Sequence, residues 1–113
     1  MQPESRLDSV FFALSDRTRR AILSRLAQGS TTIGRLSEPF PISAPAISKH
    51  VKILERAGLI ERKVTGREHH CSLATGGLKT AEDWIAFHRQ FWESRLDALD
   101  ELFRSNKHNE KEQ

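Results

Sequence analysis

Glycine and proline punctuation constrains this chain more than any other feature of its sequence. Gly29, Pro39, Pro41, Gly58, Gly66 and the pair Gly76-Gly77 cut the first two-thirds into short pieces, and the stretch that follows has no such break. Short amphipathic pieces bury their apolar residues only against one another, whereas an unbroken stretch is free to form one long helix. With 113 residues, 37% hydrophobic and 29% charged, the chain suits one compact domain with a core and is too small for two. No apolar run is long enough for a membrane span, and the Met1-Gln2-Pro3-Glu4 start lacks the layout of a secretory signal. The single Cys71 supplies neither an internal disulfide nor a multi-cysteine metal cage. These features point to a cytoplasmic protein with no membrane contact.

The patterning predicts a mainly α fold with a small β-hairpin: about five helices plus a two-stranded wing. Leu7, Val10, Phe11 and Leu14 recur at helical spacing over residues 6–14. Ser15 or Asp16 caps a second helix over 17–27 that buries Ala21, Ile22 and Leu26, and Gly29 stops it. Thr31 or Thr32 caps a very short helix through Ser37, ended by Pro39 and Pro41. Ser43 caps the next, over 43–57, with Pro45 in its first turn and Gly58 as its stop. Residues 59–73 read as a hairpin turning at Gly66, and 78–103 as one long helix. The expected domain is 1–104, followed by a polar, flexible tail over 105–113.

Function is concentrated in the helix 43–57. At 100° per residue Ile47, Val51 and Leu54 form a core stripe, while Pro45, Ser48, Lys49, Lys52 and Arg56 lie opposite. A helix, a stiff turn, a second helix with a small, polar and basic outer face, and then a basic hairpin make the layout of a helix-turn-helix with a wing. Such a helix fits the major groove, where its N-terminal residues meet base edges. Arg62, Lys63 and Arg67 on the hairpin then fall beside the adjacent backbone or minor groove. Charge agrees: residues 1–73 carry 12 Lys/Arg against 7 Asp/Glu, and residues 74–113 carry 6 against 8. Double-stranded DNA is the expected partner. His50 lies beside the core stripe, where a partly buried, satisfied ring and a DNA contact both fit.

The long helix carries a second message. Leu78, Ile85, Trp92 and Leu99 recur every seven residues, with Ala81 and Leu102 at companion positions and Trp84, Phe87 and Phe91 alongside. A core helix of a small domain needs one apolar stripe, and this one has two adjacent ones. Some 26 residues span roughly 39 Å, longer than such a domain is wide. Aromatic anchors on an overlong helix predict a homodimer interface.

The blocks Ala13-Leu14-Ser15-Asp16-Arg17-Thr18-Arg19-Arg20-Ala21-Ile22-Leu23 and Ile42-Ser43-Ala44-Pro45-Ala46-Ile47-Ser48-Lys49-His50-Val51-Lys52-Ile53-Leu54-Glu55-Arg56-Ala57-Gly58-Leu59-Ile60 resemble the ArsR/SmtB-type winged-helix transcriptional regulators of bacteria. The resemblance covers roughly residues 7–103. It implies a homodimeric repressor on an imperfectly palindromic operator, with Ser43, Ala44, Pro45, Ser48, Lys49 and His50 at the recognition helix and Arg67 at the wing tip. It also implies that Leu7, Phe11 and Phe12 of the first helix join the dimer interface. Arg17 departs from the family, which commonly has proline there; only the cap is affected. The metal sites of the family need ligands this sequence lacks: Thr32 to Ser37 contains no cysteine, and Asp83 and His88 are about 140° apart on their helix, with no further histidine before His108.

No cofactor, metal or evident small-molecule ligand is expected. The remaining cluster, His69-His70-Cys71, reads as packing, as a thiol redox switch, or as a metal site, in falling order of support. There is no Gly-rich phosphate loop, nucleophile elbow or metal-ligand motif, so an enzyme is not expected. Two alternatives stay open: a winged helix serving only as a protein-interaction module, and a redox-responsive regulator acting through Cys71.

Overall fold

Three of the short helices start where a side chain replaces a missing carbonyl acceptor. The computed structural model describes residues 3–112, with side chains from Ser5 to Asn106. Met1, Gln2 and Gln113, at the outer ends of the expected regions 1–104 and 105–113, lie outside these, as does the side chain of His108. Helices α1 (Pro3–Leu14), α2 (Arg17–Leu26), α3 (Ile33–Ser37), α4 (Ala44–Arg56) and α5 (Gly76–Glu112) alternate with strands β1 (Thr31–Thr32), β2 (Ile60–Thr65) and β3 (Glu68–Leu73). Asp16, Thr32 and Ser43 are the caps of α2, α3 and α4; their side-chain oxygens accept the N–H of Arg19, Arg35 and Ala46.

The sheet departs from expectation. The expected two-stranded wing is present as β2–β3, but β1 adds a third strand, giving the order β1-β3-β2 with both pairs antiparallel. β1 is two residues long, with Thr31 opposite Cys71 and Thr32 opposite His70. A strand this short has no period to detect, and Thr32 also caps α3. The hairpin β2–β3 pairs Ile60 with Leu73 through Thr65 with Glu68. Its two turn residues are Gly66, at φ 63°, and Arg67, at negative φ, which is the pattern of a type II′ turn.

Two compact units divide the chain, Met1–Ala81 and Glu82–Gln113. The boundary falls within the stretch expected to form one domain. In the first unit Val10, Ala13, Ile22, Leu26, Leu36, Ile47, Val51, Leu54, Ala57, Leu59, Ile60, Cys71 and Ala81 form the core. Ala21, expected inside, is exposed. The second unit is helical, and α5 continues through Glu112 instead of stopping near Phe103. The residues after Ser105 include no glycine or proline, and Lys107, Glu110, Lys111 and Glu112 favour helix, so no strong local breaker ends it.

The end of α4 and the start of α5 meet at glycines. Gly58 closes α4 at φ 73°, and its carbonyl accepts the N–H of Gly77 at 2.9 Å. A Cβ on the buried Gly77 would run into the Ala57 carbonyl oxygen and the Gly58 backbone, which cannot move aside as a flexible side chain would. Gly77→Ala is therefore expected to lower stability by about 2 kcal/mol, read as a lower urea midpoint at unchanged slope. An unchanged midpoint would show that this contact does not hold the turn.

Candidate nucleic-acid interface

Helix α4 divides its residues between two environments. Ile47, Val51 and Leu54 are fully buried and contact the rest of the first unit. Ser43, Ala44, Pro45, Lys49, Lys52 and Arg56 are exposed, and Ser48 is half-buried. Pro45 in the first turn costs the helix no hydrogen bond and leaves its entrance free of a bulky side chain. The outer face is thus small and hydroxylic at the N-terminal end and cationic further along.

On the wing, Lys63 and Arg67 are exposed, but Arg62 is not. Its side chain is 15% exposed, and Nε lies 3.2 Å from Glu55 Oε2 on α4, an ion pair without the alignment of a hydrogen bond. Arg62 alternates with Ile60 on the inward side of β2, a parity visible in the sequence and overlooked beside its charge. The pair joins β2 to α4. A cleft of about 380 Å³ brings Ser48, Arg62 and Arg67 together with His69, Glu68 and the Thr32-Ile33-Gly34 start of α3.

His50 faces inward on one ring edge: Nδ1 lies 3.2 Å from Arg19 Nη1 and 3.9 Å from Asp16 Oδ2. Arg19 itself is 6% exposed; Nε donates to the Ala13 carbonyl at 2.8 Å and Nη2 to the Phe12 carbonyl at 2.9 Å. Asp16 accepts the Arg19 N–H at 3.0 Å, and this bond, aided by the Arg19 charge, holds its carboxyl below the usual carboxylate range. Sequence reasoning passed over Arg19 as a working residue. The available signal was its place on the stripe with Ile22 and Leu26, an arginine at an apolar position.

Cys71 is fully buried, and burial pushes its thiol above the usual range. An oxidant needs access and thiolate, and this environment disfavours both, against the redox alternative. His70 instead meets Glu68 at 3.0 Å on the outer side of β3. Among the described residues no group of three or more His, Cys, Asp or Glu side chains gathers, and no helix is long and apolar enough to cross a membrane. Of the expected interface residues Leu7 is half-buried, while Phe11, Leu78, Trp84, Ile85, Phe91, Trp92 and Leu99 are exposed, Trp92 by 65%. Phe87, Leu96, Leu102 and Phe103 on α5 are exposed as well.

Comparison with known proteins agrees with this geometry. A family model described as a helix-turn-helix domain matches residues 14–63. The HTH-type transcriptional regulator Rv2034 of Mycobacterium tuberculosis is 35% identical over 98 residues, covering 87% of this chain and 89% of that protein. The transcriptional repressor SdpR of Bacillus subtilis is 40% identical over 79 residues, 70% of this chain and 88% of its own. Among solved structures, the ArsR family transcriptional regulator RHA00566 has a TM-score of 0.75 at 37% identity, over 83% of this chain and 96% of that one.

The lowered carboxyl of Asp16 has a consequence for stability. A group whose folded pKa is depressed contributes stability above its unfolded value, lost as pH falls through the folded one. Urea midpoints taken from about pH 5 down to about pH 2.5 are expected to fall more steeply for the wild type than for Asp16→Asn, which keeps a cap acceptor without a titrating charge. Parallel acid limbs would show that Asp16 contributes nothing to them.

Proposed function

The chain belongs to the ArsR-type family of winged helix-turn-helix transcriptional regulators, and we propose that it acts as a homodimeric repressor on a palindromic DNA operator. The observation that carries this is the sidedness of α4: its apolar stripe is fully buried, while Ala44, Pro45, Lys49, Lys52 and Arg56 stand exposed beside Lys63 and Arg67 of the wing. In this reading the N-terminal half of α4 enters the major groove, where Ser48 and the residues around Pro45 meet base edges. Lys52, Lys63 and Arg67 hold phosphates of the adjacent backbone and carry affinity rather than sequence information. Arg62, committed to Glu55, acts by fixing the wing rather than by touching DNA.

Dimerisation supplies the second half-site. The exposed aromatic and aliphatic residues of α5 suit burial against a second copy, and a two-fold dimer presents two recognition helices about one helical turn apart. Such a dimer represses most simply by occluding a promoter; the Bacillus subtilis relative is named a repressor. We read the protein as a DNA-binding factor acting in the bacterial cytoplasm, not as an enzyme, and with no metal at the family's sensor positions.

Two measurements test this reading. In sedimentation at micromolar concentration the wild type is expected to be dimeric, and Trp92→Ala with Leu99→Ala monomeric, because such anchors typically contribute about 2 kcal/mol or more each. A monomeric wild type would contradict the interface. In binding to duplex DNA, Arg67→Ala is expected to reduce the slope of log affinity against log salt by roughly 0.9 for each phosphate no longer neutralised, or twice that for both subunits of a dimer. An unchanged affinity and slope would exclude a wing contact at Arg67.

A further inference from the structure

We propose that Arg19 is a positioning residue for DNA recognition: through His50 it sets the rotation of α4 about its own axis without itself reaching DNA. This rests on the DNA-binding reading above and names what aims the recognition helix.

A guanidinium is a directional group. It is planar, always charged and donates only, so a buried one holds its neighbours at fixed angles. Arg19 spends Nε and Nη2 on the carbonyls of Ala13 and Phe12 in the last turn of α1, the latter shared with the N–H and hydroxyl of Ser15, and its Cζ lies 4.9 Å from the centre of the Phe12 ring. Nη1 is left for α4 and meets His50 Nδ1 at 3.2 Å. Because the guanidinium has no lone pair to offer, Nδ1 is the acceptor, and the ring hydrogen in this bond sits on Nε2. One rigid side chain thereby ties α4 to the corner between α1 and α2.

Apolar packing alone would aim α4 less sharply. The stripe Ile47, Val51 and Leu54 is attracted inward without a preferred angle, since burial is non-directional. A rotation of about 20° moves side-chain tips by about 2 Å on a helix of this diameter. That is enough to spoil a hydrogen bond to a base edge, while a long lysine still reaches its phosphate. His50 sits next to Lys49 and two residues after Ser48, so the tie acts within the turn that meets the bases. The tie therefore governs discrimination between sequences more than overall grip.

The test compares His50→Asn with His50→Ala. Asparagine places its Oδ1 close to where Nδ1 lies and still accepts from Arg19; alanine offers nothing. The probes are a duplex carrying the sequence that the wild type enriches from a randomised pool, and a random duplex of equal length. His50→Ala is expected to lower the ratio of the two affinities about tenfold, at unchanged salt slope, with His50→Asn close to wild type. Arg19→Lys is expected to lower the ratio in the wild type but not further in His50→Ala, with melting curves establishing that each variant is folded. If His50→Ala does not stay folded, His50→Met, which fills the space without a nitrogen or oxygen acceptor, takes its place. An unchanged ratio in the acceptor-less variant, or an equal loss in His50→Asn, overturns the proposal while leaving DNA binding intact. A wild type that enriches no sequence overturns the functional reading and the proposal together.

Discussion

Burial of the Ile47, Val51 and Leu54 stripe is the constraint on which the rest of the first unit depends. Helix α4 packs against α1, α2, α3 and β2, so most of that unit is organised around it. Each fully buried aliphatic side chain contributes about 1.5–3 kcal/mol, and turning α4 about its axis would expose one or more of the three. Committing that side to the core leaves Ala44, Pro45, Lys49, Lys52 and Arg56 outward. The exposed face is the consequence of the buried one. Two polar ties then hold the helix in place, His50 to Arg19 at its middle and Glu55 to Arg62 near its C-terminal end.

Much of this was legible in the residues alone. The spacing of Ile47, Val51 and Leu54 located the core side of α4, Ser43 and Gly58 marked its ends, and Gly66 marked the wing turn, because each signal is local and has one strong physical cause. What escaped was non-local or too short. β1 is recognisable only by its partner Cys71, forty residues further on. Arg19 and Arg62 were legible as positions, through helical and strand parity, but charge outweighed parity in reading them. The charge of Arg62 and its place on the hairpin point to the DNA backbone, yet its guanidinium sits against Glu55. His50 was left between two readings, and the partner that decides its inner edge lies thirty-one residues away.

Helix α5 poses the opposite problem. Its heptad pattern was plain, but a pattern names a face and not what covers it. Within the first unit α5 contributes Ala81 to the core and buries Gly77. From Trp84 onward the large apolar side chains of the second unit are exposed, which is unusual for a surface that stays in water. The proposed second copy of the chain would cover this face, and with it the overlong helix would serve the two-fold symmetry of the proposed operator.

The central claim, that the outer face of α4 and the wing tip meet DNA, is tested most directly by following backbone amide resonances while duplex DNA is added. The account predicts that shifts concentrate at residues 43–56 and 63–67, with those of the second unit little changed. Shifts confined to α5, with residues 43–56 undisturbed at saturating duplex, would contradict it.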